Sequence, residues 1–222
     1  MQACYVLLIF QTGARTRPGI TAMIQAIPLP ESESFVCSSS PLNGSRGAVV
    51  LLTGLSGAGK STIAQAVNAG LLVRDIRVQI LDADDVRRNL NRDLGFSRED
   101  RNENVRRLGY IANLLAAHGV VVLVAVIAPY REARDLIRAA AGGRFLEVFV
   151  AAPLEVCERR DPKGLYKKAR RGELKGFTGI DDPYEEPLAP EVRCNTHLET
   201  LHESAGKVIA ALLKDSGVEL LV

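Results

Sequence analysis

The chain has 222 residues, of which 47% are apolar and 24% charged, as is typical of a soluble globular domain with a sizeable core. Its net charge is only +2, so no global field points to nucleic acid or a membrane surface as a partner. Four cysteines without C-x-x-C spacing and three histidines without ligand spacing favour a cytoplasmic protein with reduced thiols over a disulfide scaffold or a zinc site.

Residues 1–46 differ in composition from the rest of the chain. The apolar run YVLLIF at residues 5–10 is too short to span a bilayer, and no basic residue precedes it, which disfavours a signal peptide. Turn-forming residues without an apolar period follow this run. We therefore predict a poorly ordered extension over 1–46 and a folded domain over 47–222. A transit peptide or a later start at Met23 are alternatives for the extension.

From Gly47 onward, apolar runs alternate with stretches of helical periodicity. Runs rich in β-branched residues predict buried strands at 48–53, 78–82, 119–127 and 144–150. Apolar residues at helical spacing predict helices at 60–73, 98–118 and 198–214. This alternation implies an α/β fold, a parallel sheet with helices on both faces and ligands at the carboxyl ends of its strands.

The stretch GLSGAGKST follows the first predicted strand and matches the P-loop pattern G-x-x-x-x-G-K-[ST]. Its glycines let backbone N–H groups surround the phosphates of ATP, and Lys60 neutralises the β and γ oxygens. Ser61 is expected to ligate Mg²⁺. The fold is therefore of the P-loop NTPase type. The predicted ATP-binding residues are Gly54, Leu55, Ser56, Gly57, Ala58, Gly59, Lys60, Ser61 and Thr62.

Two carboxylates follow the second predicted strand, in LDADDVRRNL. Asp82 and Asp84 should face the P-loop, where a carboxylate orients the Mg²⁺ shell or accepts the proton of an attacking hydroxyl. Alternatively, Asp84 or Asp85 begins a helix as its N-cap, and the spacing alone does not identify the base. The run VVLVAVI ends in Ala128 rather than in a Walker B aspartate, which favours a small-metabolite kinase over a motor or a GTPase.

Two later stretches concentrate basic residues. GFSREDRNENVRR at 95–107 is either a solvated helix face or a cluster of guanidinium groups that would match the oxygens of an anionic acceptor. Residues 158–175 hold eight basic and three acidic side chains, and residues 181–191 hold five acids and no base. With its glycines, the basic stretch predicts a lid over the nucleotide at about 158–180, although an exposed loop would have the same composition.

Together these motifs resemble the adenylyl-sulfate kinase family. The resemblance runs from Gly47 to the C-terminus and rests on GLSGAGKST, LDADDVR, LGFSREDRNENVRR, IAPYREAR, PLEVCERRDPKGLYKKAR and FTGIDDPYEEP. It implies an enzyme of sulfate assimilation that uses ATP and Mg²⁺ to phosphorylate the 3′-hydroxyl of adenylyl sulfate, giving 3′-phosphoadenylyl sulfate and ADP. It also implies a functional link to a separate ATP sulfurylase, and it leaves a homodimer open.

By position, the resemblance makes Asp84 the catalytic base and Asp82 its partner near the metal. Ser61 and Asp82 would hold the metal ion, and Lys60 would be the third catalytic residue. The implied acceptor-site residues are Arg87, Arg101 and Asn104 for the phosphosulfate and ribose, Phe96 and Phe177 for the adenine, Arg131 beside them, and Lys163 and Lys175 in the lid.

Three residues depart from the family pattern. Ala83 and Asp85 stand where the family usually has glycine and asparagine. Ala83 adds a Cβ at a position where the backbone is expected to run close to the ligand, and Asp85 adds a negative charge that disfavours anion binding. Their effect on activity does not follow from the sequence. Ala128 stands where many relatives carry a serine, so no phosphoserine can form there and direct transfer from ATP is expected.

Two alternative functions stay open, a P-loop kinase for another small anionic acceptor and a catalytically weak nucleotide-sensing module.

Overall fold

A computed structural model describes residues 47–141 and 144–214, and the extension predicted over 1–46 lies outside them. The elements in chain order are β1 (Ala48–Thr53), α1 (Lys60–Leu72), β2 (Val78–Asp82), α2 (Ala83–Asn89), α3 (Arg98–Ala117), β3 (Val121–Ala125), α4 (Arg131–Ala140), β4 (Phe145–Ala151), α5 (Leu154–Arg160), α6 (Leu165–Arg170), β5 (Val192–Asn195) and α7 (Leu201–Lys214).

The strands form a parallel sheet in the order β2-β3-β1-β4-β5, which confirms the predicted fold class. The four predicted strands are present, but β3 starts at Val121 because Gly119, at φ +76°, still belongs to the turn that ends α3. The predicted last helix begins at Leu201 instead of Leu198. Sequence patterning did not predict β5 or helices α4, α5 and α6.

The central strand β1 separates two apolar cores. Its alternate residues Ala48, Val50 and Leu52 face the core under α1 and α7. Val49 and Leu51 point the other way, into the core under α3 and α4. Every residue of β1 is buried, as expected of a strand covered by helices on both faces.

Because all strands are parallel, their carboxyl ends share one edge of the sheet. Thr53 at the end of β1, Asp82 at the end of β2 and Ala125 at the end of β3 lie along this edge. Polar side chains after these strands are therefore brought together although they are far apart in sequence. Within the described residues, no helix is both long and apolar enough to cross a bilayer.

Candidate active site

A cavity of about 700 Å³ opens at the carboxyl edge of the sheet. The P-loop, the start of α2, the segment after β3 and the basic segment around Lys163 all contribute to its walls. Phe96 and Phe177, predicted to contact the acceptor, line the same cavity. One continuous space therefore joins the nucleotide-binding motif to the predicted acceptor site.

The P-loop joins β1 to α1, and glycine is required at both of its ends. Gly54 has φ +150°, and a Cβ there would lie 2.4 Å from the carbonyl oxygen of Val150. Gly59 is the N-cap of α1 with φ +110°, a left-handed conformation that leaves the first N–H groups of the helix facing the cavity. The loop is thus shaped to hold an anion.

Lys60 is turned inward onto the P-loop itself. Its Nζ donates hydrogen bonds to the carbonyl oxygens of Gly54 (2.9 Å) and Leu55 (2.8 Å). Burial, and next the positive charge of Lys163, lower the pKa of Lys60 to about 8. A bound triphosphate would supply the counter-charge that this ammonium group lacks.

Asp82 ends β2 and accepts two hydrogen bonds. Ser61 Oγ donates to Oδ2 at 2.6 Å, and the backbone N–H of Asp84 donates to Oδ1 at 2.9 Å. Asp82 is therefore the N-cap of α2, and the alternative that Asp84 or Asp85 begins this helix is wrong. A hydroxyl and a carboxylate in contact are oxygen ligands that suit Mg²⁺, so both residues fit the metal role predicted for them.

Asp84 forms an ion pair with Lys163, and both side chains remain about half exposed, at 56% and 50%. Lys163 lies in the turn between α5 and α6, so the basic segment reaches across the cavity to the predicted base.

Asp85, by contrast, is exposed and pairs with Arg88 on the outer surface of α2. Its additional charge is therefore compensated by a neighbour.

The two phenylalanines differ in their surroundings. Phe96 is 63% exposed, and the guanidinium carbon of Arg87 lies 4.5 Å from its ring centroid. Phe177 is only 8% exposed and packs edge-on against Tyr166, with 5.0 Å between the ring centroids. Tyr166 OH in turn donates to the carbonyl oxygen of Ser56 in the P-loop, so Phe177 serves both the core and the cavity wall.

Arg101 links the two loops that carry these rings. Its Nε donates to the carbonyl oxygen of Phe96 at 2.9 Å, and its Nη1 and Nη2 donate to Thr178 Oγ1 (2.9 Å) and the carbonyl oxygen of Gly176 (2.5 Å). Asn104, one turn further along α3, is buried, lines the cavity and accepts a hydrogen bond from Asn91.

Two predicted substrate-binding residues lie outside the cavity wall. Arg131 begins α4, and its Nε donates to the carbonyl oxygen of Glu186 at 2.8 Å. Lys175 is exposed between α6 and Phe177. The remaining predicted acceptor residues, namely Arg87, Phe96, Arg101, Asn104, Lys163 and Phe177, do line the cavity.

Sequence reasoning missed the residues at the far end of the P-loop. Arg160 donates to Thr196 Oγ1 (3.1 Å) and to the carbonyl oxygen of Thr196 (2.6 Å), and Thr196 Oγ1 donates to the carbonyl oxygen of Ala58 at 2.8 Å. Both residues line the cavity beside the start of α7. Arg160 was visible only as one of many basic residues, and Thr196 follows the unpredicted β5, so neither had a recognisable signal.

The sequence model of the Adenylylsulphate kinase family matches residues 46–195. The chain belongs to this family. It is 61% identical over 163 residues to an adenylyl-sulfate kinase of Microcystis aeruginosa, which covers 73% of this chain and 90% of the relative. A second adenylyl-sulfate kinase, from Gloeothece citriformis, is 59% identical over 167 residues, and the match covers 75% of this chain and 94% of that relative.

Solved structures of this family agree with the fold. The APS kinase CysC of Mycobacterium tuberculosis, solved in complex with AMPPNP and APS, is 50% identical with a TM-score of 0.74, covering 76% of this chain and 98% of that protein. A hexameric APS kinase from Thiobacillus denitrificans is 33% identical with a TM-score of 0.60, and the match covers 79% of this chain and 31% of that protein. The family assignment suggested by the motifs is confirmed.

Proposed function

We infer that this protein transfers the γ-phosphoryl group of ATP to the 3′-hydroxyl of adenylyl sulfate, giving 3′-phosphoadenylyl sulfate and ADP. The observation that carries this inference is the shared cavity, whose walls include the P-loop, Asp84 and the rings of Phe96 and Phe177. A catalytically weak nucleotide sensor is not favoured, because the relatives are kinases and the predicted catalytic residues are present.

The P-loop residues would hold the triphosphate of the donor. Backbone N–H groups at the start of α1 would face the phosphates, and Lys60 would leave its carbonyl partners to neutralise the β and γ oxygens. Ser61 and Asp82 are the residues that would hold Mg²⁺, which neutralises developing charge on the phosphoryl oxygens. Arg160 and Thr196 form the wall beside the P-loop on the donor side.

Asp84 is the group we assign to proton removal from the 3′-hydroxyl. It lines the cavity together with Asp82, and among the described residues its side chain forms an ion pair with Lys163. When Lys163 turns to the incoming phosphates, Asp84 loses that partner and is free to accept the hydroxyl proton. Lys163 would therefore stabilise transferred charge and control the base.

The acceptor side carries charge and stacking surfaces that suit adenylyl sulfate. A mixed anhydride of sulfate and phosphate is dianionic, which fits Arg87 on this wall and the buried amide of Asn104. The rings of Phe96 and Phe177 provide two apolar faces for the adenine. Arg101 would mainly hold these two loops together, since its three described hydrogen bonds join them.

A coupled assay for ADP release tests this function. With ATP and Mg²⁺, adenylyl sulfate should support turnover, whereas adenosine, AMP and gluconate at the same concentration should not. Adenosine lacks the anhydride that the arginine side of the cavity would bind. Equal rates with adenosine and adenylyl sulfate would refute the substrate assignment.

The cellular setting is also part of the proposal. The reaction consumes adenylyl sulfate, so an enzyme that makes it from ATP and sulfate, an ATP sulfurylase, must act beforehand. We propose a cytoplasmic location, which the unpaired buried thiols Cys157 and Cys194 support because a reducing compartment preserves them. A homodimer remains a prediction, which light scattering of the purified protein would test.

A further inference from the structure

Ala128, three residues after the end of β3, has an unusual backbone conformation. This alanine has φ +44°, in the left-handed region that residues other than glycine rarely adopt. It is also buried, with 1% of its surface exposed, and it lines the cavity. A residue keeps such a conformation only when its neighbours hold it in place. The residues that bond to Ala128 therefore determine the shape of this part of the cavity wall.

The carbonyl oxygen of Ala128 is held by Arg134, a buried arginine on α4 that is 2% exposed. Arg134 directs three donors at three acceptors: Nε to Glu147 Oε1 (2.7 Å), Nη1 to the carbonyl oxygen of Ala128 (2.6 Å) and Nη2 to the carbonyl oxygen of Glu185 (2.7 Å). A planar guanidinium group can meet all three, whereas a lysine ammonium cannot match this fork.

The acidic segment 181–191 is docked by these contacts against the turn between β3 and α4. The N–H of Glu185 donates to the carbonyl oxygen of Pro129 at 2.8 Å, and the N–H of Arg131 donates to Glu185 Oε2 at 2.9 Å. Since Arg134 also donates to the carbonyl oxygen of Glu185, this residue is held at its N–H, its carbonyl oxygen and its side chain.

The docked segment in turn fixes the loop that carries Phe177. Tyr130 OH donates to the carboxylate of Asp182 at 3.0 and 3.1 Å. The carboxylate of Asp181 accepts hydrogen bonds from the N–H groups of Gly176 (2.7 Å) and Phe177 (2.6 Å). The backbone of the predicted adenine-binding ring is therefore built on the same segment that Arg134 anchors.

We propose that Arg134, oriented by Glu147, is a positioning residue for the acceptor site. It does not line the cavity, and it acts through the turn at Ala128 and through Glu185 on the loop of Phe177. The donor site is built on β1 and α1, and the docked segment contacts β1 through Tyr184 OH and Thr53 Oγ1 (2.9 Å), whereas the Phe177 loop is bonded to this segment at Asp181. Loss of Arg134 should therefore affect the acceptor much more than ATP. The expected change in KM rests on the proposed function, whereas the series of contacts from Arg134 to the loop of Phe177 does not.

The test uses the full-length protein with the double variant Arg134→Met/Glu147→Leu. Replacing a buried ion pair by apolar side chains of similar size is often neutral for stability, whereas removing one partner is not. The variant leaves the carbonyl oxygens of Ala128 and Glu185 without their arginine donor, so its thermal midpoint should fall while the protein stays folded. It should raise the KM for adenylyl sulfate by about tenfold or more and change the KM for ATP by less than about twofold. Amide hydrogen exchange at Gly176 and Phe177 should accelerate.

Two further variants make the result decisive. Arg134→Lys keeps the charge beside Glu147 but loses the fork, so it should show the same selective rise in KM. Arg106→Met, which removes a surface ion pair with Glu103 on α3, should leave both KM values unchanged. Unaltered KM values and exchange rates in a folded Arg134 variant, or a parallel rise in both KM values, would overturn the proposal. Because exchange is measured without turnover, an incorrect substrate assignment would not affect that readout.

Discussion

Truncating Phe96 to alanine separates acceptor binding from folding, because this ring is 63% exposed. Its described ring contacts are with the guanidinium groups of Arg87 and Arg101, whose central carbons lie 4.5 and 5.7 Å from the centroid. Exposed cation–π contacts contribute about 0.5–1 kcal/mol each, so Phe96→Ala should lower the thermal midpoint by only a few degrees. Loss of stacking on one face of adenine costs on the order of 1–3 kcal/mol.

That free energy corresponds to a rise of about 5-fold to 150-fold in the KM for adenylyl sulfate, at ~1.4 kcal/mol per decade. Phe177 needs a milder substitution, since it is only 8% exposed and packs on Tyr166. Phe177→Ala would cost about 3–5 kcal/mol of stability through the cavity it leaves. Phe177→Leu keeps most of the volume and removes the aromatic face, so its KM effect should approach that of Phe96→Ala.

The assay is steady-state release of ADP, with each substrate varied at saturation of the other. Tyr110→Ala is the matched control, because this aromatic residue is 70% exposed on α3 and lies outside the cavity wall. It should leave both KM values unchanged. If Phe96→Ala raised the KM for ATP as much as that for adenylyl sulfate, or raised neither, the ring would have no specific role in the acceptor site.

Lys163→Met should lower kcat at least about tenfold in the same assay, because Lys163 is assigned to transferred charge; an unchanged kcat would remove it from the mechanism. ATP binding at pH 8.5 should take up most of a proton, since the buried Lys60 has its pKa lowered to about 8 and phosphates restore its charge. Calorimetry in buffers of different ionisation enthalpy measures this uptake, which Lys60→Met should abolish. Removing residues 1–46 should leave kcat and the thermal midpoint unchanged, because the family match begins at residue 46; a large drop in either would contradict this.

Local sequence patterns were sufficient for the centre of the fold. Strands β1 to β4 are buried apolar runs, and a P-loop between a strand and a helix has one common geometry, so both could be predicted. The same motifs placed Lys60, Asp82 and Asp84 correctly at one edge of the sheet. Each of these features depends on residues that are close together in the chain.

Features that depend on distant partners could not be predicted. The strand β5 has four residues, of which Val192 and Cys194 are buried against β4, and its pattern is too short to stand out. Arg134 looks like one more charged residue in REARDLIR, because its partners Glu147 and Glu185 lie elsewhere in the sequence. The choice of Asp82 as helix cap likewise depends on how β2 ends against the P-loop.

We propose that the ion pair between Asp84 and Lys163 connects the charge of the predicted lid segment to the timing of the reaction. In the free protein the assigned base is paired through Oδ2 with a lysine from the turn between α5 and α6, so this oxygen is already engaged before substrates bind. Phosphate groups of the two substrates carry more negative charge than one carboxylate and would compete for Lys163. On this proposal Asp84 would become available as the cavity fills, when the triphosphate and the acceptor have displaced water. A water molecule that entered with ATP alone would meet a base still partly held by Lys163, which disfavours hydrolysis relative to transfer.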